Sequence, residues 1–229
     1  MLKLIQLEIK KYKLFNNWKG VLIANISIIA LMTMIFIIEK MDLNVPFEDF
    51  NMVMSMSDTV IRATFLIFSS VIMVKIIIDE YKNNLISIMF TYPISRKKIL
   101  LSKLLIVVIF TFTTVMFSSL LMSISVYLLN PMLHIVPESI SGEHVLTYLT
   151  TSFFGALATA GVSLIPLFFG MRKKSSNATI VSAILLASLT GSSIDGVSMI
   201  NLIAILVSLG LIGVIIGYLT VRNIEQVDI

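Results

Sequence analysis

Long apolar runs separated by short polar stretches make up most of this chain. Six of the runs are close to the length of a helix that crosses the hydrocarbon of a bilayer, for which about 20 residues suffice. Because lipid offers no water to backbone amides, a crossing segment must be a helix or part of a closed barrel. The pattern predicts an all-α membrane protein, a single domain over residues 1–229, with six transmembrane spans at 20–38, 59–78, 104–129, 145–170, 178–194 and 199–219.

The N-terminal segment and the fifth run depart from this pattern. In residues 1–17, apolar side chains recur near helical spacing opposite lysines, which predicts an amphipathic helix lying among lipid headgroups. A soluble helix with one basic face would give the same pattern. The fifth predicted span, 178–194, is short and rich in Ser, Ala and Thr. A membrane crossing is therefore less strongly predicted for this run than for the other five.

Composition sets the class of protein. Of the 229 residues, 57% are hydrophobic and 13% are charged, whereas roughly a quarter are charged in an average soluble domain. One soluble core cannot hold so much apolar surface, so lipid must solvate part of it. The absence of cysteine excludes disulfides, thiol catalysis and thiolate metal sites. The net charge is +4, and the cationic side chains flank the apolar runs. This placement favours anionic lipid headgroups over nucleic acid as the partner.

The distribution of lysine and arginine predicts the orientation of the chain. With six crossings and both termini in the cytoplasm, fifteen of the seventeen cationic side chains lie on the cytoplasmic side. Only Lys40 and Arg62 lie on or near the outer side. Because short cytoplasmic loops of membrane proteins carry an excess of Lys and Arg, we expect a multi-pass protein of the cell membrane with both termini inside.

The longest predicted cytoplasmic loop, residues 79–103, reads DEYKNNLISIMFTYPISRKKILLSK. Its apolar centre, 85–90, is too short to cross a membrane but suits a short surface helix with one face available to a protein partner. Pro93 cannot continue that helix, because its ring removes a donor and clashes with the preceding turn. Ser95 can cap a new helix that runs into the third span. A plain basic connector would explain the cations, but not the apolar centre or the Pro-Ile-Ser-Arg break.

An acidic residue after the second span, a short apolar patch and the sequence YPISRKKILLSK resemble the cytoplasmic loop of type-2 ABC transporter permeases. The six spans and the amphipathic N-terminus extend the resemblance to the whole chain, which looks closest to Gram-positive permeases for lantibiotic immunity, bacitracin resistance or peptide export. The resemblance implies that the loop is a coupling helix docked on a separate ATPase subunit, where ATP and Mg bind. The residues that it assigns to this coupling are Glu80, Tyr81, Leu85, Ile88, Pro93, Ser95, Arg96 and Lys103.

The resemblance also implies a half-transporter, in which two six-span subunits, identical or related, enclose one path. The resemblance further implies that the second and fifth spans line this path. Neither span carries an ionisable group at mid-depth, so we expect an amphipathic peptide or lipid-linked cargo rather than a small ion. The sequence contains no Walker A motif, which predicts that ATP hydrolysis belongs to another chain and that this one is not an enzyme. We expect no metal or cofactor to be bound by the chain itself.

Two alternatives to an exporter remain open. A sensor or scaffold subunit could bind an ATPase without moving cargo, and the sequence does not separate the two. An intramembrane protease is less consistent with the sequence, because that chemistry needs acids and histidines converging within the spans.

Two smaller patterns concern helix packing and charge. Asp58 and Arg62 are four residues apart, so on a helix they would pair at the outer end of the second span. A charge within a membrane is a candidate for a gate or entrance, although an interfacial structural pair fits equally well. In the sixth span, small residues let helices approach closely, within the chain or between subunits, and these residues are Gly210, Gly213 and Gly217.

Overall fold

The structure, a computed structural model, describes residues 2–41, 50–82, 96–133, 135–136, 142–191 and 199–223. This part of the chain is almost entirely helical and contains no strand. Its helices are α1 (Leu2–Lys11), α2 (Asn17–Met41), α3 (Phe50–Met73), α4 (Asp79–Lys82), α5 (Arg96–Leu133), α6 (Gly142–Val162), α7 (Ile165–Lys173), α8 (Ser176–Gly191) and α9 (Met199–Asn223). A 3-10 turn, Leu14–Asn16, precedes α2, and a π-helical turn, Val74–Ile78, joins α3 to α4 in one continuous rod.

Five stretches of the described chain are long and apolar enough to cross a membrane, which agrees with the all-helical membrane class predicted from the sequence. They are Asn17–Ile38, Phe50–Lys82, Lys97–Pro131, Gly142–Lys173 and Ile205–Arg222. The remaining apolar stretch, Ser176–Thr190, is shorter. At 1.5 Å per residue, α8 is about 24 Å long, against about 30 Å for the hydrocarbon of a bilayer. The sixth crossing therefore stays a prediction.

The rod that contains α3 begins nine residues before the predicted start of the second span. The sequence predicts a start at Thr59 because an acidic stretch, residues 39–58, precedes it. The first two turns of α3 nevertheless carry an apolar face, and Phe50 and Val53 are buried. Burial of that face supports the helix, so the helical rod spans 50–82.

The predicted fourth span is two helices rather than one. The chain leaves the α-helix after Val162 and resumes it at Ile165, with Pro166 in the first turn of α7. A proline lacks the N–H that would bond back to the preceding turn, but it is accommodated at the start of a helix. The break therefore lies directly before the proline.

Apolar clusters surround the rod, and two of them enclose its ends. The first packs the early turns of α3 against α2, α5 and α6, and its core includes Phe50, Met32, Phe65 and Met122. The second surrounds the π-helical turn and packs it against α5, α7 and the apolar face of α1, through Ile5 and Ile9. Both ends of the rod are thus enclosed by other helices of the same chain.

The close approach of α6 and α9 depends on glycine. A Cβ atom on Gly213 would lie 2.0 Å from the carbonyl oxygen of Gly161, and a Cβ on Gly210 would lie 2.9 Å from that of Ala158. Gly217 faces the side chain of Leu164, on the same side of α9. The small-residue face of the last helix therefore packs against the α6–α7 region of its own chain.

Candidate functional site

Charged side chains are buried where α1, α4 and α5 meet, at one end of the helical rod. Glu80 of α4 is 4% exposed and Lys103 of α5 is 3% exposed. The ammonium group of Lys103 donates to Glu80 Oε2. It also donates to the carbonyl oxygen of Ile76 in the π-helical turn, at 2.9 Å. This ion pair joins the last turns before the segment 83–95 to the first turns after it.

Helix α1 supplies donors to the other carboxylate oxygen. Lys11 Nζ donates to Glu80 Oε1 at 2.7 Å, and Tyr12 Oη donates to the same oxygen. Lys13 has a φ of 48°, a left-handed conformation that ends α1 and turns the chain toward α2. Lys75 Nζ donates to the carbonyl oxygen of Tyr12 at 3.3 Å, which satisfies an acceptor at the end of the helix. Glu80 therefore ties α1 to α4 and α5.

A second carboxylate lies beside this pair. Glu8 is 5% exposed, and its Oε2 lies 3.9 Å from Lys103 Nζ. Burial raises the pKa of Glu8, while the nearby cations Lys103 and Lys11 act in the opposite direction. Burial and the hydrogen bond to Glu80 raise the pKa of Tyr12, so its phenol remains a protonated donor. We call Glu8, Lys11, Tyr12, Glu80 and Lys103 the Glu80 cluster.

The ion pairs of the Glu80 cluster differ in how much they contribute to the stability of the fold. An exposed ion pair contributes little, and the side chain of Lys11 is 51% exposed. A buried charge is tolerated only when it is paired and hydrogen-bonded, and both partners of the Glu80–Lys103 pair are buried. The cluster therefore fastens α1, α4 and α5 together, because both carboxylate oxygens of Glu80 accept hydrogen bonds from other members of the cluster. Glu8 Oε2 has no hydrogen-bond partner among the described residues.

The structure describes part of the predicted coupling loop. Tyr81 is half-buried against the second apolar cluster, and Arg96 begins α5. Leu85, Ile88, Pro93 and Ser95 lie outside the described residues. Nothing in the sequence indicates that Glu8, Lys11 and Tyr12 join Glu80, because Lys11 and Glu80 lie 69 positions apart in the chain.

A further polar connection lies at the loop end of the bundle. Asp79, next to Glu80, accepts a hydrogen bond of 2.9 Å from Ser176 Oγ in the first turn of α8. The same turn of α4 thus contacts α1, α5 and α8.

A second charged cluster lies near the opposite end of α3. Asp58 and Arg62 form the ion pair expected from their spacing, with 2.9 Å between Arg62 Nη2 and Asp58 Oδ2. Three hydroxyls from other helices also donate to this carboxylate: Tyr148 Oη to Oδ1 at 2.6 Å, Ser119 Oγ to Oδ1 at 3.3 Å and Ser152 Oγ to Oδ2 at 3.4 Å. A partly open cavity of about 120 Å³ adjoins the pair, between α3, α6, α8 and α9.

Sequence similarity relates the chain to a family of transporter proteins and to a protein of Bacillus subtilis. A family model described as "ABC-2 family transporter protein" matches residues 4–191. The protein named "Uncharacterized protein YcbO" of Bacillus subtilis (strain 168) is 37% identical over 227 residues, which cover 99% of this chain and 100% of that protein. No solved structure matches significantly.

Proposed function

The chain belongs to the ABC-2 family of transporter proteins, and we propose that it is the membrane-spanning permease subunit of an ATP-driven exporter. A separate ATPase subunit binds ATP and Mg and hydrolyses the nucleotide. Its movement is transmitted to the permease through the loop 79–103. The family match supports the class of protein, and the Glu80 cluster supports the site of coupling.

The observation that carries the coupling role is the fastening of both ends of the segment 83–95. Glu80 lies three residues before the start of this segment, and Lys103 lies two turns into the helix that follows it. Because the pair is buried in a close-packed region, a displacement of the segment moves both helices together. Lys11 and Tyr12 extend the same displacement to α1.

Because Glu80 and Lys103 are buried, they do not contact the ATPase directly in this proposal. Their role is to position the helices on either side of the segment. The contact surface is the apolar stretch that contains Leu85 and Ile88. Pro93 ends that surface, and the turn of Ser95 and Arg96 starts α5. The buried pair thus fixes the helices on either side of the segment, and we expect the apolar side chains of the segment to recognise the partner.

The remaining features of the proposal concern the membrane. We place α8 as the fifth of six crossings, because one face packs on α3 while Leu185 and Leu189 on its other face are 60% and 69% exposed. Apolar side chains at that exposure suit lipid or another membrane subunit. The Glu80 end faces the cytoplasm, where most of the lysines and arginines then lie. Two such subunits form the transport path, and the cargo is amphipathic.

The first experiment asks which proteins bind the chain. A tagged chain is purified in mild detergent from its native host, and we expect an ABC ATPase in near-equimolar amount. The complex is then reconstituted in liposomes, where ATP hydrolysis is measured. Uptake of fluorescent amphipathic peptides is measured for the complexes whose ATPase faces outward. Absence of an ATPase would contradict the proposal. Hydrolysis without uptake of any amphipathic cargo would instead favour the sensor or scaffold.

The second experiment tests the Glu80 cluster within that complex. We expect Glu80→Gln to retain the ATPase but to lose uptake, because the ends of the segment are no longer held by an ion pair. Glu143→Gln is the matched control, since Glu143 is exposed at the far end of the bundle. Wild-type uptake by Glu80→Gln would refute this route of coupling.

A further inference from the structure

The cavity beside Asp58 has an uneven distribution of hydrogen-bond donors and acceptors. It is lined by side chains of four helices, among them Asn51 and Arg62 of α3, Thr147 of α6, Thr190 of α8 and Leu206 of α9. Asp58 supplies the only carboxylate among the described lining residues. The chemistry of the cavity therefore depends on whether Asp58 or Arg62 is available to a ligand.

Asp58 is already satisfied. Its Oδ1 accepts hydrogen bonds from Tyr148 and Ser119, and its Oδ2 accepts from Arg62 and Ser152. These four donors come from three helices and leave little capacity for a cationic ligand. The carboxylate fixes the position of Arg62 and stabilises its charge.

Arg62 retains donors that the protein does not use. A guanidinium has five N–H donors in a planar fork, and one bond to Asp58 is the only hydrogen bond that this side chain makes within the described part of the chain. The side chain is 17% exposed and lines the cavity. Free donors on a fixed, partly buried guanidinium suit a ligand with several acceptor oxygens.

A glycine lets the guanidinium lie against α6. A Cβ atom on Gly155 would be 3.0 Å from Arg62 Nη2 and 3.2 Å from its Cζ. A side chain there would shift the guanidinium by a few tenths of an ångström or more. The position of Arg62 therefore depends on Asp58 along its own helix and on Gly155 across the interface.

Apolar side chains border the polar lining. Leu206 is part of the cavity wall. Met54 of α3 lines the cavity as well and is buried. A ligand held at Arg62 therefore has apolar surface within reach for a hydrocarbon chain.

We propose that this cavity binds the phosphate group of an amphipathic, lipid-linked molecule, with Arg62 as the principal donor and Asp58 as the residue that positions it. The guanidinium fork matches phosphate geometry, and Asn51 and Thr147 supply further polar groups. The inference rests on the proposed function in that it names the headgroup of the cargo. The binding itself needs neither ATP nor the ATPase.

Binding is measured on the full-length protein in a neutral detergent, by native mass spectrometry and by the shift in thermal unfolding. The probes are dodecyl phosphate, dodecyltrimethylammonium and inorganic phosphate. We expect dodecyl phosphate to bind and the cationic amphiphile not to compete with it. Removing a charged hydrogen-bond donor in Arg62→Gln should weaken binding about 10- to 100-fold. Arg222→Gln is the matched control, because Arg222 is exposed on α9, and it should bind as the wild type does.

Two further variants guard against misfolding. Arg62→Gln with Asp58→Asn removes both charges, so it leaves no unpaired carboxylate, and it should also lose binding. Gly155→Ala should weaken binding by displacing the guanidinium, whereas Gly142→Ala should not, because a Cβ there meets no atom within 4 Å.

Several results would overturn the inference. Equal binding of dodecyl phosphate to the wild type and to Arg62→Gln would place the ligand elsewhere. Binding of inorganic phosphate as tightly as dodecyl phosphate would exclude a lipid-linked ligand. The proposed function is judged separately by the ATPase that co-purifies. A chain that binds dodecyl phosphate but no ATPase would support the site and contradict the exporter.

Discussion

Neutralising Glu80 is the substitution that most directly tests the buried ion pair at the proposed coupling site. Glu80→Gln keeps the shape of the side chain and one carbonyl oxygen, but removes the charge that pairs with Lys103. That lysine is 3% exposed and would remain in place with a distant carboxylate, Glu8, at 3.9 Å. The variant therefore tests whether a buried ion pair holds the ends of the segment 83–95 together.

The magnitude follows from the burial of each partner. Breaking a buried ion pair by removing one member costs about 3–5 kcal/mol, because the other charge is left uncompensated. The loss at Lys11 adds at most about 1 kcal/mol, since that side chain is half exposed. Glu8 can partly take over the pairing with Lys103, so we expect the lower end of the range, about 3 kcal/mol.

The assay is the free energy of unfolding, measured by titrating SDS into mixed micelles. The chain has a single tryptophan, and Trp18 packs edge-on against Phe117 with 6.1 Å between ring centroids, so its emission reports on the junction of α2 and α5. Glu143→Gln serves as the control, and Glu80→Gln with Lys103→Met should recover part of the stability, because the unpaired buried ammonium group is removed while Glu8 loses its buried cationic neighbour. A loss below about 1 kcal/mol, or no recovery in the double variant, would refute the reasoning.

Two further predictions test neighbouring features. Tyr12→Phe removes the donor to Glu80 while keeping the ring, and should lower the free energy of unfolding by about 1.5–3 kcal/mol in the same titration; an unchanged value would show that the phenol does not support the carboxylate. Gly213→Ala places a Cβ 2.0 Å from the carbonyl oxygen of Gly161 and should cost about 1–3 kcal/mol through separation of α6 and α9. Gly142→Ala should change little, and equal stability of the two alanine variants would contradict the close packing.

The class of fold was accessible from the sequence because apolar run length is a local property. Lipid forces each crossing to be a helix, so composition and length predict the class. The ends of helices were less accessible. The acidic residues before Thr59 favoured a loop, whereas burial of Phe50 and Val53 extends the helix. Pro166 marks the break in the predicted fourth span, but a proline can also start a helix or kink it.

The candidate sites were predictable only where their residues are close in sequence. Asp58 and Arg62 lie one helical turn apart, so their pairing follows from the helix itself. Tyr148 reaches the same carboxylate from 90 positions away, and Lys103 reaches Glu80 from 23 positions away. Such contacts depend on how helices pack. The resemblance to a permease loop singled out Glu80 and Lys103 but gave no sign that they are buried.

Site-specific crosslinking tests the central claim most directly, because the chain contains no cysteine. A photoreactive thiol reagent is attached to Ile88→Cys, within the proposed docking surface, and to Gly142→Cys, at the far end of the bundle, in the complex within its native membrane. We predict a crosslink from position 88 to an ABC ATPase and none from position 142. No crosslinked ATPase at position 88, or the same yield at both positions, would contradict coupling through this loop.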